Sequence, residues 1–278
     1  MSKGLKCGYC YEKVVIEMNV YVKCKYNSNS GLMLGHSETF TKAIYGFSEL
    51  GAEIIPYESL DDIYDVVTKE DIVLDYIQQC DTIFEKFGYK NVHVDDYPDC
   101  LKKYLGRNIW HDTINSISSN PDKWSAGWFV KPVKSKVFTG KVIKSINDLI
   151  GCGNSQEDYE VICSEAIDIR REWRCFIYYD EIIDIRPYKG DYHYTYNPKV
   201  IDNIMEDFRK WKDRPVACSI DIGVTSENKT ILIECNDAYA LGSYGLVDFR
   251  YAKLISARWS QILERKDEFD FRKFGIEK

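Results

Sequence analysis

A chain of 278 residues, with 45% hydrophobic and 29% charged residues, is long enough to fold around a large core in two or three lobes. Its formal net charge of -7 argues against a protein that coats nucleic acid through phosphate contacts alone. The composition favours a globular protein whose partners are small molecules or other proteins.

The sequence shows no sign of membrane insertion or of a disulfide framework. No run approaches the roughly 18 apolar residues of a membrane-spanning helix, and "MSKGLKCGYCYEK" lacks the apolar centre of a signal peptide. We therefore expect a cytoplasmic protein with no membrane partner. The ten cysteines are scattered and are expected to be mostly reduced. Cys7 and Cys10 have the spacing of half a zinc site or of a redox motif, but no second pair completes a zinc site.

The N-terminal part alternates predicted strands with predicted helices. A helix is predicted over residues 37–51, with Ser37 as its N-cap and Gly51 at its end. Strands are predicted on either side of it, in "KVVIEMNVYVKC" and "AEIIPY". A short helix in "SLDDIYDVV", a strand at 71–75 and a helix ending near residue 87 follow. Strands separated by helices predict a mainly parallel sheet.

A new section is predicted to begin near residue 96. Residues 95–117 contain a proline boundary and are predicted to form a mostly helical connection. The pattern then changes to strand, loop and strand in "GWFVKPV", "KSKVFTG" and "KVIKSI", with a short helix in "SINDLIG". These segments predict a small two-layer lobe.

The C-terminal part is predicted to be a larger lobe built on antiparallel strands. A strand in "YEVICSEAID" precedes two strands in "REWRCFIYYDEIIDIRPY" that turn at Tyr179 and Asp180. An amphipathic helix follows, with one apolar face formed by Ile201, Ile204, Met205 and Phe208. The strands "VACSIDIGV" and "KTILIECND" are predicted to form a hairpin, and a tyrosine-rich, charged helix closes the chain.

That last hairpin carries three oxygen-bearing side chains on strands that otherwise resemble core. Side chains of a strand alternate between its two faces, so Asp221 is predicted to point to the opposite face from Ile220 and Ile222. By the same alternation, Glu234 and Asn236 are predicted to share a face with Leu232. An antiparallel hairpin would then bring the side chains of Asp221, Glu234 and Asn236 together. Oxygen ligands without histidine or cysteine suit Mg²⁺, which usually completes its shell with water and substrate phosphates. Solvated acids at strand ends remain the alternative.

Lys131 ends the apolar strand "WFVK" just before Pro132. An ammonium at this position can meet a phosphate as a point charge. The alternative is a surface lysine at the end of an edge strand.

The sequence resembles the ATP-grasp superfamily, and most closely its phage and bacterial clade named for two arginines and a lysine. The similar segments are "DYPDCLKKYLGRNIW", "FVKPVKSKVFTGKVIKSINDL", "VICSEAIDIRREWRCFI" and "ILIECND". The resemblance implies an α+β ATP-grasp fold, in which an N-terminal α/β preATP-grasp lobe precedes two α+β lobes that clasp ATP. The implied divisions are residues 1–95, 96–160 and 161–278. The clade also implies a phage source, and hence the cytoplasm of a host.

The resemblance also implies roles for individual residues. It makes Asp221, Glu234 and Asn236 the Mg²⁺ ligands and Lys131 the phosphate-binding lysine. Further ATP contacts are implied for Arg107, which enters from the connection, and for Thr139 and Gly140, which lie in the phosphate-covering loop. That loop has fewer glycines than the loop of many relatives.

The hinge segment "CSEAIDIRREW" adds candidates that agree with the same resemblance. Glu165 is expected to accept a hydrogen bond from the adenine amine, and Glu172 to bind a ribose hydroxyl. Arg174 lies on the same strand face as Glu172. Arg186 and Lys189 are expected to converge with it on the phosphates or on an acyl phosphate, as catalytic cations. Solvation on a strand face is the alternative for each.

The implied activity is an ADP-forming, ATP-dependent ligase that joins a carboxylate to an amine or a thiol through an acyl phosphate. The acceptor is expected to be a small amine, a peptide or a protein. Tyrosines crowd "PYKGDYHYTYNP" and "NDAYALGSYGL", where they are expected to grip the acceptor or to form ordinary packing at the rim. His193 is a candidate general base, with a solvated loop histidine as the alternative. A second interpretation is an ATP-binding assembly chaperone of the same fold that turns over little ATP without its partner.

Overall fold

The computed structural model describes residues 18–90, 92–125, 127–133, 137–153 and 157–272. The cysteines at positions 7 and 10 lie outside these residues. The described chain forms three four-stranded sheets. None of its described helices has the length and apolar character needed to cross a membrane.

The N-terminal sheet is mainly parallel. Its strands are β1 (Asn19–Asn27), β2 (Leu32–Gly35), β3 (Glu53–Tyr57) and β4 (Ile72–Leu74). Strand β1 pairs in parallel with β3 and β4 and antiparallel with β2. The helices are α1 (Glu38–Glu49) and α2 (Ile77–Lys86), with a 3-10 helix at Leu60–Asp62. Ser37 caps α1 as predicted, because its hydroxyl accepts the backbone N–H of Phe40 at 3.4 Å.

The connection after this sheet is less helical than the sequence indicates. A 3-10 helix (Asp99–Tyr104) is followed by strand β5 (Ile109–Thr113) and by the short helices α3 (Ile114–Ser118) and α4 (Pro121–Ser125). The predicted helix was wrong over β5. Ile109 and Trp110 pair with β8 and pack against different core clusters, as expected for an extended strand, in which successive side chains point to opposite faces.

The small sheet has the order β5-β8-β6-β7 and is antiparallel throughout. Its remaining strands are β6 (Trp128–Pro132), β7 (Lys141–Ile143) and β8 (Glu160–Glu165), with a 3-10 helix at Ile146–Leu149. Val130 and Cys163 pack with α3 on one face. The alternation along β6 therefore directs Lys131 to the opposite face.

The large sheet has the order β10-β9-β11-β12 and is also antiparallel. Its strands are β9 (Ile169–Tyr178), β10 (Glu181–Gly190), β11 (Ala217–Thr225) and β12 (Thr230–Asp237). The predicted turn between β9 and β10 is confirmed. Tyr179 and Asp180 have φ values of 46° and 70°, the pattern of a two-residue type I′ hairpin turn.

Two helices cover the large sheet unequally. Helix α5 (Pro198–Phe208) buries its predicted apolar face against one side, where it packs with Ile220 and Ile222. Helix α6 (Asp248–Ile262) contacts the other side at Phe176 and also packs against α1 in a core shared with the N-terminal sheet. The part of this second side that α6 leaves uncovered carries the polar residues described next.

Candidate functional site

A row of four charged residues crosses the large sheet. The strand register places Arg186 opposite Arg174, Arg174 opposite Asp221, and Asp221 opposite Glu234, one residue from each strand. Asn236 lies two residues further along β12, opposite Ser219. The hairpin therefore brings the three predicted oxygen ligands onto one face, as the strand periodicity predicted.

At the centre of the row, Arg174 and Asp221 form a buried, two-point ion pair. The Nε and Nη2 of Arg174 donate to the two carboxylate oxygens of Asp221 at 2.8 and 2.7 Å. The side chains are 7% and 3% exposed. Asn236 donates its amide Nδ2 to Asp221 at 3.3 Å. Burial raises the pKa of Asp221 above its ordinary value, although its hydrogen bonds to Arg174 oppose that shift.

At the end of the row, Glu234 meets the small sheet. The ammonium of Lys131 lies 2.8 Å from an oxygen of Glu234 and 2.8 Å from an oxygen of Asp96, and 4.8 Å from the ring centre of Tyr97. Burial lowers the pKa of Lys131, but the two carboxylates outweigh burial and raise it above the ordinary value. Lys131 thus joins the small sheet, the connection and the large sheet at one point.

The remaining predicted cations are also paired with carboxylates. Lys189 lies 2.7 Å from Glu172, in a row next to the first. Arg186 donates through Nε and Nη2 to Asp184 at 2.9 and 2.7 Å. Lys189 is 69% exposed and Arg186 is 39% exposed, whereas Glu172 is buried. Both cations are exposed enough to reach an anionic ligand, but if Lys189 turned away the buried Glu172 would lose the ammonium that it pairs with.

Arg107 and Glu165 make contacts that hold the connection in place. Arg107 donates to the backbone carbonyls of Leu232 and Ile233 at 3.0 and 2.7 Å. Glu165 accepts from the backbone and side-chain nitrogens of Asn108 at 2.6 and 2.7 Å. Burial lowers the pKa of Arg107. Arg107 therefore joins the connection to β12, whereas Glu165 is exposed at the end of β8. In this structure the polar groups of both residues bind protein atoms.

The predicted phosphate-covering loop lies beside Lys131. Thr139 is exposed, and Gly140 packs so closely that a Cβ there would lie 2.8 Å from the ring of Phe129 and 3.0 Å from the Cβ of Lys131. Residues 134–136 of the loop lie outside the described chain. The absence of a side chain at Gly140 gives Lys131 its space.

Two tyrosines from the predicted tyrosine-rich stretches lie over Arg174. Tyr188 and Tyr244 stack with ring centres 4.8 Å apart, and the guanidinium of Arg174 lies 4.4 Å from the ring of Tyr244. Tyr244 is 48% exposed and has a φ of 38°, a left-handed conformation that is uncommon outside glycine. Burial raises the pKa of Tyr188, with a further contribution from Asp221. Backbone conformations of this kind cost free energy and persist only where the surrounding structure holds them.

Sequence reasoning did not single out Asp96, His93 or Asp184. Asp96 precedes Lys131 by 35 residues, so no short spacing connects them. His93 lies 3.3 Å from Asp96 and also 3.4 Å from the hydroxyl of Tyr239. Asp184 offered a usable signal, since it precedes Arg186 by two residues on one strand and so shares its face.

His193 lies in the segment that follows β10 and is not part of this row. It is exposed and lies 2.7 Å from Asp191, its neighbour two residues earlier in the same loop. This local contact matches the alternative of a solvated loop histidine.

A cleft of about 540 Å³ opens between the connection and the small sheet. It is lined by both charged and apolar side chains, among them His93, Asp96, Tyr97, Arg107, His111 and Ile162. Lys131 pairs with Ile162 across β6 and β8, and therefore lies on the same face of the small sheet as this cleft.

Two of the three predicted Mg²⁺ ligands, Glu234 and Asn236, have an oxygen available for a metal ion. Glu234 is 27% exposed and only one of its oxygens is bound by Lys131, while the amide nitrogen of Asn236 faces Asp221 and leaves the amide oxygen available. Both oxygens of Asp221 are taken by Arg174. Among the described residues no group of three or more His, Cys, Asp or Glu side chains could hold a metal. Two protein oxygens suffice where phosphates and water complete the Mg²⁺ shell.

Solved structures with a similar fold include a ligase and two synthetases. A D-alanine–D-alanine ligase from Bacillus anthracis aligns with a TM-score of 0.55 and 14% identity, over 90% of this chain and 99% of that chain. An N5-carboxyaminoimidazole synthetase from Staphylococcus aureus, complexed with ADP, aligns with a TM-score of 0.53 and 9% identity, over 88% of this chain and 78% of that one. The corresponding synthetase from Thermotoga maritima aligns with a TM-score of 0.51 and 12% identity, over 90% of this chain and 77% of that one. No curated protein matches the sequence.

The sequence itself identifies the family. The model for the ATP-grasp domain of family 2, in the clade named for two arginines and a lysine, matches residues 104–254, which is more than half of the chain. The match includes the small sheet, the large sheet and the charged row. The predicted α+β ATP-grasp fold is confirmed, and the chain belongs to this two-arginine, one-lysine clade of ATP-grasp proteins.

Proposed function

We propose that this protein is an ATP-dependent ligase that activates a carboxylate as an acyl phosphate and transfers the acyl group to an amine or a thiol. The observation that carries the proposal is the meeting of Lys131 and Glu234 between the two sheets. One is a cation suited to phosphate and the other is a carboxylate suited to Mg²⁺. They lie at the same point, where a nucleotide triphosphate needs both.

Binding of Mg²⁺ and ATP would exchange partners at this point. Lys131 would leave Glu234 for the phosphates, and Glu234 with Asn236 would be free to hold the metal. Mg²⁺ would neutralise charge that develops on the transferred phosphoryl group. The exchange keeps every charge paired, which matters because an uncompensated charge in a partly buried site is costly.

The other residues supply orientation and charge. Arg174 and Arg186 form the β9 and β10 end of the row, and Lys189 lies next to it. All three would stabilise negative charge on the phosphates and the acyl phosphate. Glu172 would bind the ribose and Glu165 the adenine amine. Arg107, Thr139 and Gly140 would border the nucleotide where the connection and the covering loop approach Lys131.

The chemistry then needs little covalent participation by the protein. A carboxylate oxygen of the donor attacks the γ-phosphorus and ADP leaves. The amine or thiol of the acceptor attacks the acyl carbon, and phosphate leaves with the donor's oxygen. The half-buried ring of Tyr188 and the exposed ring of Tyr244 lie beside Arg174 and offer contact area for an acceptor such as a peptide or a small amine.

The test is ADP release with Mg²⁺ and ATP, first from the protein alone and then with dialysed lysate supplemented with amino acids, polyamines and carboxylic acids. We expect ADP release that depends on the added compounds and falls by at least ~100-fold in Glu234→Gln. Asp180→Asn, at the distant turn where Asp180 pairs with Arg214, should retain activity. Tight ATP binding without acceptor-dependent ADP release would instead favour the assembly chaperone.

A further inference from the structure

Asp221 differs from the other carboxylates of the site because all of its bonding capacity toward the row is already used. Arg174 donates to both of its oxygens, Asn236 donates to Oδ2, and the hydroxyl of Ser219 lies 3.5 Å from Oδ1, so each oxygen has two partners. The residue is 2% exposed. A metal could reach these oxygens only if the guanidinium moved away.

The guanidinium of Arg174 is itself held on several sides. Its Nη1 lies 3.4 Å from the carbonyl oxygen of Gly242, and the ring of Tyr244 lies 4.4 Å away. Gly242 and Tyr244 belong to a loop that is tied to the N-terminal part of the chain, where Ser243 donates its backbone N–H to Thr39 at 3.4 Å. Displacing Arg174 from Asp221 would therefore break a buried ion pair and disturb this loop, and an unpaired buried charge is costly.

Glu234 shows the opposite arrangement. Its carboxylate is 27% exposed, and its partner Lys131 comes from a different sheet on a flexible side chain. Releasing Glu234 requires only that Lys131 move to a nearby phosphate. The two acids of the row are therefore not equivalent as metal ligands.

We propose that Asp221 is a positioning residue that fixes Arg174, and that the metal takes its protein ligands from Glu234 and Asn236 without Asp221. The inference rests on the proposed function, since it concerns the Mg²⁺ and ATP of that same site. A guanidinium has five N–H groups, and the described contacts use three of those of Arg174. The other two are held in a fixed direction for a transferred phosphoryl group. Asp221 also receives the amide nitrogen of Asn236, which turns the amide oxygen toward the metal.

The first test measures metal binding rather than turnover. Mn²⁺ is titrated in the presence of a non-hydrolysable ATP analogue, and free Mn²⁺ is followed by electron paramagnetic resonance. Glu234→Gln should weaken Mn²⁺ binding by at least ~10-fold. The double variant Arg174→Gln with Asp221→Asn removes the ion pair without changing net charge, and its amide oxygen at position 221 can still accept from Asn236. We expect Mn²⁺ binding within about threefold of the wild-type protein.

A second measurement separates positioning from simple structural support. Asp221→Asn, Arg174→Gln and the double variant should lower kcat to a similar extent, because residues that act as a unit show non-additive losses. The Mg²⁺ concentration for half-maximal rate should stay unchanged in all three. A metal ligand would show the reverse, with a raised Mg²⁺ requirement.

The chain offers a closely matched control for loss of a buried ion pair. Asp237 and Arg258 pair at 2.7 and 2.8 Å, with side chains 1% and 7% exposed, and join β12 to α6. Asp237→Asn should lower thermal stability about as much as Asp221→Asn while Mn²⁺ binding and kcat stay near wild type. If Asp221→Asn fails to fold, the charge-neutral double variant still carries the test.

Loss of Mn²⁺ binding in the double variant by ~10-fold or more, equal to that of Glu234→Gln, would overturn the inference. That result leaves the ligase proposal intact. If the wild-type protein binds neither the ATP analogue nor Mn²⁺, the proposed ATP-dependent function itself is contradicted. The two failures are therefore distinguishable in one titration.

Discussion

At the scale of single residues, the site is a set of cations whose carboxylate partners are already in place. Lys131, Arg174, Arg186 and Lys189 were all predicted as ligand-binding residues, and each is paired with at least one acid. Lys131 has two such partners, Asp96 and Glu234. The paired acids keep these cations charged and hold them at the site before an anionic ligand arrives.

Lys131→Gln tests the role of this lysine. The substitution removes the point charge expected at the phosphates and leaves Asp96 facing Glu234 without a shared cation. We expect ATP affinity to fall by about 10-fold or more, and stability to fall by about 1 to 3 kcal/mol from the loss of charged hydrogen bonds. Calorimetric titration with Mg²⁺ and ATP measures the first effect, and chemical denaturation the second.

Lys210→Gln is the control for this prediction. Lys210 pairs with Asp207 at 2.8 Å, but its side chain is 71% exposed and lies at the end of α5. It should retain wild-type ATP affinity. If Lys131→Gln bound ATP as tightly as the wild-type protein, Lys131 would not contribute to nucleotide binding.

At the scale of elements, the alternation of residues along the strands predicted which face most site residues lie on. It did not predict the irregularities in strand pairing. The faces of α5 and of the β11–β12 hairpin followed directly from spacing, so Asp221, Glu234 and Asn236 were correctly placed together. A β-bulge between Asp221 and Ile222 then shifts the pairing, so that Leu232 lies opposite Ile222 in the core. The prediction that Leu232 shares the face of Glu234 was therefore wrong. A single sequence carries no signal for an extra residue in one strand.

The same limit explains why the partners of the site residues were missed. The pairing of Arg174 with Asp221 depends on β9 and β11 becoming neighbours across 47 residues of sequence. The contact of Lys131 with Asp96 depends on how the small sheet meets the connection. Residue types and spacing along a strand indicate which way a side chain points, whereas contacts between elements are set by packing of the whole fold.

The crossing of α1 and α6 rests on the absence of a side chain at Gly46. A Cβ there would collide with the backbone carbonyl of Asp248 and would lie 3.0 Å from the Cβ of Ala252. Gly46→Ala gains up to about 1 kcal/mol of helix propensity, but forcing the helices apart costs about 1 to 3 kcal/mol. We expect net destabilisation, measured as a lower midpoint in chemical denaturation.

Tyr45→Ala is the matched control on the same helix, since its side chain is 63% exposed. Its stability should stay within about 0.5 kcal/mol of wild type. A Gly46→Ala protein more stable than wild type would show that the two helices can separate without cost.

At the scale of the whole molecule, His93 lies where the connection, α2 and the end of the large sheet meet. It contacts Asp96 and Tyr239, and Tyr239 in turn donates to Asp81 at 2.8 Å. Burial lowers the pKa of His93, but the hydrogen bond to Asp96 and the charges of Asp237 and Asp81 outweigh it and raise the pKa above 6.5. The protonated ring therefore stabilises the folded state.

This pKa shift predicts the sign of a pH effect. The stabilisation is fully present below the unfolded-state pKa of 6.5 and is lost as the pH rises through the folded-state value. The melting temperature of wild type should exceed that of His93→Gln by more at about pH 6 than at about pH 9. Comparing the two proteins at each pH cancels the titration of the other acids. A difference that grows with rising pH would contradict the raised pKa.

The path of one oxygen atom tests the acyl-phosphate chemistry most directly. The protein is supplied with Mg²⁺, ATP, the amine pool and carboxylic acids labelled with ¹⁸O in the carboxylate, and the released inorganic phosphate is analysed by mass spectrometry. An acyl-phosphate ligase transfers one labelled oxygen from the acid to each phosphate. We therefore predict one labelled oxygen in the released phosphate for each ADP formed. ADP formed together with unlabelled phosphate, or phosphate retained on an unlabelled hydroxyl product, would contradict the proposed ligase.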